Sequence, residues 1–157
     1  MITKEKILEI LENVADPEVP VLSVLDLGII REIKINQNNI EIFITPTYSG
    51  CPAMQTIATN IKFELIANGI DNVVVKEILS PSWTTDWMTE NGKKKLQEYG
   101  IAPPQYDENK KGLDENIECP QCHSINTKLL SQFGSTACKA LYKCLDCLEP
   151  FDYFKCH

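Results

Sequence analysis

At 157 residues, the chain has room for one ordinary domain or one domain plus a small module, and 43% hydrophobic content is enough for a buried core. A net charge of −7, from 22 acidic against 15 basic side chains, disfavours nucleic acid as the main partner, because that affinity rests on neutralising phosphates. No apolar run approaches the roughly 18 residues that span a bilayer, and the mixed-charge opening Met1-Ile2-Thr3-Lys4-Glu5-Lys6 does not have the form of a signal peptide, so a cytoplasmic protein without a membrane partner is expected.

Thr3 is placed to cap a helix over 4–14, where Ile7, Leu8, Leu11 and Val14 recur at helical spacing. Asp16-Pro17 stops it, since a residue before proline avoids the α region. The stretch to Gly28 has no clean period and reads as an ordered loop. Ile29–Ile35 reads as a strand, Asn36-Gln37-Asn38-Asn39 as a turn, and Ile40, Ile42 and Ile44 as the inward face of a second strand. The Thr45–Pro52 loop leads into a helix over Ala53–Asn68, with Met54, Ile57, Ala58, Ile61 and Leu65 as its stripe and Gly69 as its terminating glycine. Val73–Leu79 is a third strand, and Asp86–Tyr99 a weaker helix with Gly92 inside it as a cost. This order, α-β-β-α-β-α, describes a small α+β domain over 1–101. The polar, proline-containing stretch 102–116 suits a linker to a separate module over 117–157.

The tail module holds two Cys-x-x-Cys knuckles, Cys119-Pro120-Gln121-Cys122 and Cys144-Leu145-Asp146-Cys147. In a reducing compartment such pairs point to metal or redox chemistry rather than structural disulfides, and nothing like a thioredoxin βαβ context surrounds either knuckle. Four thiolates close a tetrahedral shell that Zn²⁺ accepts, so a structural zinc ribbon is expected; iron, as a single ion or a cluster, suits the same donors. Strand-like runs at Thr127–Phe133 and Cys138–Lys143 would form the hairpin that brings the knuckles together. The module is too small to fold on apolar burial alone, so metal would supply much of its folding free energy. Lys128, Lys139, Lys143 and Lys155 balance Glu118, Asp146, Glu149 and Asp152, which leaves no basic footprint for DNA or RNA. Cys138 and Cys156 read as ordinary thiols. Cys156-His157 and His123 are alternative ligands to a shell that four cysteines already complete.

Cys51 stands apart, immediately before Pro52 at a helix start. Helix dipole and free amides there favour thiolate, which predicts a lowered thiol pKa. Thr45, Thr47, Tyr48 and Ser49 surround it with hydroxyls, and Gly50 permits a sharp turn. Both histidines, His123 and His157, lie in the tail, so a Cys–His nucleophilic pair is poorly supported. A thiolate that holds metal or exchanges sulfur ligands is the better functional reading. Asp16, Glu18 and Asp26 are either site-shaping acids or turn-formers. Trp83 and Trp87 are read as core or as a lid over the loop.

Together, Asp16-Pro17-Glu18, Asp26-Leu27-Gly28 and Thr45-Pro46-Thr47…Gly50-Cys51-Pro52 resemble the MIP18 (DUF59) family over about residues 4–100. Ser80-Pro81-Ser82-Trp83-Thr84-Thr85-Asp86-Trp87, the run from Phe133 to Cys144 and the terminal ribbon are similar to its phenylacetate-degradation (PaaD) type along essentially the whole chain. The resemblance implies a noncatalytic factor for iron–sulfur cluster assembly, serving the multicomponent phenylacetyl-CoA epoxidase and above all its iron–sulfur reductase. It implies Cys51 as the functional thiol, with Asp16, Asp26, Thr45 and Thr47 shaping the site. A transient cluster at Cys51 would need further ligands, from a homodimer partner, a client cysteine or a small thiol. The alternatives are a noncatalytic or electron-transfer subunit of the oxygenase, and a zinc-ribbon regulator of transcription.

Overall fold

Thr3 opens the first helix: its hydroxyl accepts from Lys6 N at 3.3 Å, and α1 runs Lys4–Leu11. The structure is a computed structural model that describes residues 1–48, 50–104, 116–134 and 136–154. It comprises two compact units, Met1–Gly92 and Lys93–His157. Among the described residues no helix is long and apolar enough to cross a membrane.

In the first unit β1 (Ile30–Asn36) and β2 (Asn39–Ile44) form an antiparallel hairpin, with Asn36 opposite Asn39. Gln37 takes a positive φ in the turn between them. Helix α2 (Ala53–Ala67) crosses over to β3 (Val73–Glu77), which pairs parallel with β2, giving the order β1-β2-β3. Period-two alternation buries Ile40, Ile42 and Ile44 on one face. Met54, Ile57, Ile61 and Leu65 of α2 and Ile7, Ile10 and Leu11 of α1 complete the core, with α1 packed on α2 and α2 on β3. The expected α-β-β-α-β-α order and α+β class are those observed.

Two elements differ from expectation. Helix α1 gives way after Leu11 to tight turns, with Asn13 N on Ile10 O and Val14 N on Leu11 O. The helix expected from Asp86 is split into a 3₁₀ turn at Thr85–Trp87 and α3 at Glu90–Tyr99. The break follows from Thr89, whose N donates to Asp26 O at 3.0 Å while its Oγ1 accepts from Gly92 N at 2.9 Å. Gly92 fits closely there: a Cβ would stand 3.0 Å from Asp26 Cβ, a tight contact.

The second unit is a four-stranded sheet of order β4-β7-β6-β5. Its strands are β4 (Ile101–Ala102), β5 (Thr127–Ser131), β6 (Lys139–Cys144) and β7 (Pro150–Phe154). The boundary expected after Ile101 falls inside this sheet, because Ile101 and Ala102 pair with Asp152 and Tyr153 of β7. Of the expected linker, residues 105–115 lie outside the described residues, as do Cys156 and His157. The core is small: Tyr142 stacks on Phe151 with centroids 5.8 Å apart and meets Tyr153 edge-on at 5.7 Å.

Trp83 is buried and donates Nε1–H to Leu27 O at 2.7 Å, and the Arg31 guanidinium lies 3.5 Å over the Trp87 ring. The tryptophans therefore clamp the turn ending in Gly28. Gly28 has φ +71°, and a Cβ there would come within 2.7 Å of the Trp87 carbonyl carbon. Gly28→Ala is predicted to lower the stability of the first unit by roughly 3 kcal/mol, through left-handed strain plus overpacking. Urea unfolding followed by tryptophan fluorescence measures it, and a variant within about 0.5 kcal/mol of the parent contradicts the account.

Candidate functional site

The Cys51 loop is built from both ends. Thr45 N donates to Ile29 O at 2.9 Å, tying the end of β2 to the start of β1. At the other end Cys51 N donates to Tyr48 O and Met54 N to Cys51 O, each at 3.3 Å, so the turn closes directly onto α2. Gly50 takes φ +74°, the left-handed conformation that glycine adopts without strain. Pro52 stands at the helix start and offers no side-chain cap. Cys51 is half-buried.

A second loop supplies its surroundings. Asp16 Oδ1 accepts from Glu18 N at 2.6 Å and Val19 N at 3.0 Å, which fixes a tight turn. That turn presents Glu18, whose Oε1 accepts from the Tyr48 hydroxyl at 3.2 Å. Tyr48 also hydrogen-bonds Cys51. Asp16, Glu18, Tyr48 and Cys51 are thus brought together from positions 16–51. Thr47 is half-buried in the same loop. Thr45 is buried, and its Oγ1 has no hydrogen-bond partner among the described residues, a state that costs about 1–3 kcal/mol and is uncommon in folded chains. Ser49 lies outside the described residues.

The electrostatics reverse the lowered pKa expected from the helix start. Burial pushes the Cys51 thiol up; the Ala53 amide and the Tyr48 hydroxyl pull it down, and the Glu18 and Asp16 carboxylates push it up again. Burial and the two acids win. Tyr48 is raised as well, by burial first and then by Cys51 and Glu18. These influences together hold Cys51 toward the neutral thiol.

Asp26 works in a different turn. Its Oδ2 accepts from Ser23 N at 3.0 Å while Ser23 Oγ accepts from Asp26 N at 3.1 Å, a reciprocal pair like a capping box. Its Oδ1 accepts from Thr89 Oγ1 at 3.4 Å. Asp16 therefore influences Cys51 directly, whereas Asp26 fastens the turn before Gly28 to the start of α3. Glu18, read from the sequence as a site-shaping acid or turn-former, and Tyr48, read as one of the hydroxyls around Cys51, meet each other here. Both stand in the motifs singled out there, but no local pattern shows that they meet.

In the second unit the β5–β6 ladder sets Thr127 opposite Cys144, and Leu145 N donates to Asn126 O at 2.8 Å, drawing the two knuckles together. Cys119 Sγ lies 3.7 Å from Cys147 Sγ, and Cys122 Sγ 3.5 Å from Cys144 Sγ. All four sulfurs fall within 4.8 Å of one another. Bonds of about 2.3 Å to a tetrahedral Zn²⁺ imply sulfur–sulfur edges of about 3.8 Å, so the set fits such an ion. His123 and Leu148, each just after the second cysteine of its knuckle, take φ +62° and +66°. His123 Nδ1 lies 2.8 Å from Glu118 Oε1, and buried Cys138 lies 3.0 Å from Thr136 Oγ1; neither belongs to the four.

The electrostatics of the four sulfurs also suit a cation. The Cys147 and Asp146 amides and the neighbouring sulfurs outweigh desolvation and bring Cys144 down to about 7. Cys147 goes the other way: the Glu149 amide favours its thiolate, but desolvation and the Cys144, Cys122 and Cys119 sulfurs push it up to about 12. Four adjacent sulfurs ionise together only around positive charge, which a divalent metal supplies.

Similarity to known proteins divides along the same line. Residues 4–76 match the family described as iron–sulfur cluster assembly protein, and residues 103–155 match the PaaD zinc beta ribbon domain. A curated Escherichia coli protein, named as a putative subunit of 1,2-phenylacetyl-CoA epoxidase, is 47% identical over 96% of this chain and 92% of its own length. A Porphyromonas gingivalis protein named Fe-S protein maturation auxiliary factor is 30% identical over 60% of this chain and 90% of its own. Among solved structures, a DUF59 domain from Bacillus anthracis matches with TM-score 0.56 and 28% identity over 59% of this chain and 90% of that one. A conserved hypothetical protein from Thermotoga maritima matches with TM-score 0.52 and 33% identity over 60% and 94%. Joined front to back in one sequence, the assembly-protein and ribbon matches place the chain in the PaaD type of the MIP18 (DUF59) iron–sulfur cluster assembly family.

Proposed function

We propose that this chain is a cytoplasmic iron–sulfur maturation factor, not an enzyme, whose client is a phenylacetyl-CoA epoxidase and above all its iron–sulfur reductase. The observation that carries the reading is the match of residues 4–76 to the iron–sulfur cluster assembly family; the client is suggested by the E. coli relative, whose match spans the assembly domain and the ribbon alike. Cys51 is the functional thiol. Asp16 and Glu18 keep it protonated until cargo arrives, Tyr48 orients it, and Thr45 and Thr47 line its loop. Cargo binding exchanges the thiol proton for a metal ion. One thiol leaves the rest of a cluster's shell to other donors, so the client's own cysteines or a second copy of the chain complete it.

In the ribbon, Cys119, Cys122, Cys144 and Cys147 hold Zn²⁺, which bonds four thiolates without redox chemistry and so acts as a structural clamp. The paired acids and bases of the tail leave it no role with DNA. A second reading is a stable noncatalytic or electron-carrying component of the oxygenase, and the name of the E. coli relative, which makes that protein part of the epoxidase, favours it. Stoichiometric co-purification with the oxygenase and an iron-loaded ribbon would support that second reading.

Three outcomes are expected. A Cys51→Ala strain yields reductase with its iron–sulfur content reduced at least several-fold, while the variant keeps its ribbon metal; full cluster content in that strain sinks the proposal. Removing metal with a chelator unfolds the ribbon, seen as loss of β signal in circular dichroism, and zinc restores it; a ribbon unchanged without metal contradicts the clamp. Alkylation of Cys51 by iodoacetamide is slow at neutral pH and still rises past the ordinary thiol range near pH 8.5. Glu18→Gln removes a repelling charge and shifts that profile to lower pH; a profile that levels off below about pH 8 refutes the raised pKa.

A further inference from the structure

The four ribbon sulfurs are not equivalent. Cys119 and Cys144, the first of each knuckle, are fully buried, whereas Cys122 and Cys147, the second of each, are exposed. Two close pairs run between the knuckles, and each joins an exposed sulfur to a buried one: Cys147 to Cys119 at 3.7 Å and Cys122 to Cys144 at 3.5 Å. Oxidation follows thiolate character and access, so a metal-bound thiolate on the open side is the point of attack. The sulfur it would pair with lies one van der Waals contact away, held there by strand pairing, since Thr127 opposes Cys144 and Leu145 bonds Asn126.

We infer that the ribbon is a peroxide-sensitive site: oxidation enters at Cys122 and Cys147, expels the metal, and closes the disulfides Cys122–Cys144 and Cys119–Cys147. The inference rests on the four-thiolate reading above and adds a reaction to it. In the first step an exposed thiolate attacks hydrogen peroxide; the O–O bond breaks, a sulfenic acid forms, and one proton from solvent leaves with water. In the second the buried thiolate across the gap attacks that sulfenic sulfur, the S–S bond forms, and the hydroxyl takes a second solvent proton and leaves as water. Each disulfide thus gives two electrons to one peroxide, and two peroxides with four protons release Zn²⁺, two disulfides and four waters. The product replaces a metal clamp between knuckles with a covalent one. It joins the same two knuckles, which flank the β5–β6 hairpin. A disulfide brings sulfurs to about 2 Å, which asks each close pair to shorten by less than about 2 Å.

The test uses the full chain, purified with its metal content measured first, then titrated with hydrogen peroxide beside a chromogenic zinc indicator. The digest is mapped by mass spectrometry. The expected result is zinc release in step with loss of four thiols per ion. Cross-linked peptides should then join 119 to 147 and 122 to 144, and a dithiol with added zinc should reverse the change. Cys122→Ser should retain only the 119–147 link, and Cys147→Ser only the 122–144 link. A dimedone-type trap should label Cys122 and Cys147, not Cys119 or Cys144. Metal-loaded protein that holds its zinc under peroxide, or that gives links within a knuckle, overturns this inference and leaves the clamp standing. Protein purified without metal in the ribbon overturns the four-thiolate reading and the inference with it.

Discussion

Burial and the carboxylates of Asp16 and Glu18 keep charge off Cys51, and crowding keeps it off the ribbon sulfurs as a set. In both units the sulfurs resist full ionisation without a cation beside them, although Cys144 alone is brought down to about 7. This constraint organises the chain. The assembly domain carries one half-buried thiol in a loop closed onto a helix, where a single ionisation is gated by two acids and a phenol. The ribbon carries four sulfurs inside 4.8 Å, an arrangement that could hold a metal ion and whose full ionisation a cation would favour. The same chemistry, a proton exchanged for a metal ion, serves a passing cargo in one proposed role and a resident clamp in the other.

The rest of the first unit serves the loop's geometry. The buried faces of β2, α1 and α2 fix where the strand ends and the helix begins, leaving only Thr45 to Pro52 between them. Asp16 holds the neighbouring turn by accepting two amides, so its carboxylate is both a turn-former and a field source. Asp26 does the corresponding job one turn later, joined to Thr89 and backed by Gly28 and Trp87. Site-shaping and turn chemistry are therefore not exclusive for Asp16, while the bonds of Asp26 favour the turn.

Much of this was legible in the residues. Alternation at Ile40, Ile42 and Ile44 and the helical stripe from Met54 to Leu65 each reflect burial of a single face, which period alone reveals. Cys-x-x-Cys spacing suffices to expect four sulfurs together. What escaped depends on residues distant in sequence. Strand β4 exists only because Ile101 and Ala102 find β7, some fifty residues on, and β7 opens on Pro150, the first-residue position where a strand accommodates proline. The break before α3 needs Asp26 to bond Thr89. The direction of the Cys51 shift escapes a sequence reading because helix position is local, while burial and the Glu18 charge arrive from another loop.

The central claim is that Cys51 takes metal in exchange for its proton, independently of the ribbon. The most direct measurement is the metal content and absorption spectrum of anaerobically purified protein reconstituted with iron and sulfide, parent beside Cys51→Ala. The account predicts zinc in the ribbon of both and an iron–sulfur chromophore in the parent alone. An identical chromophore in the variant, or none in either while client transfer proceeds, would contradict it.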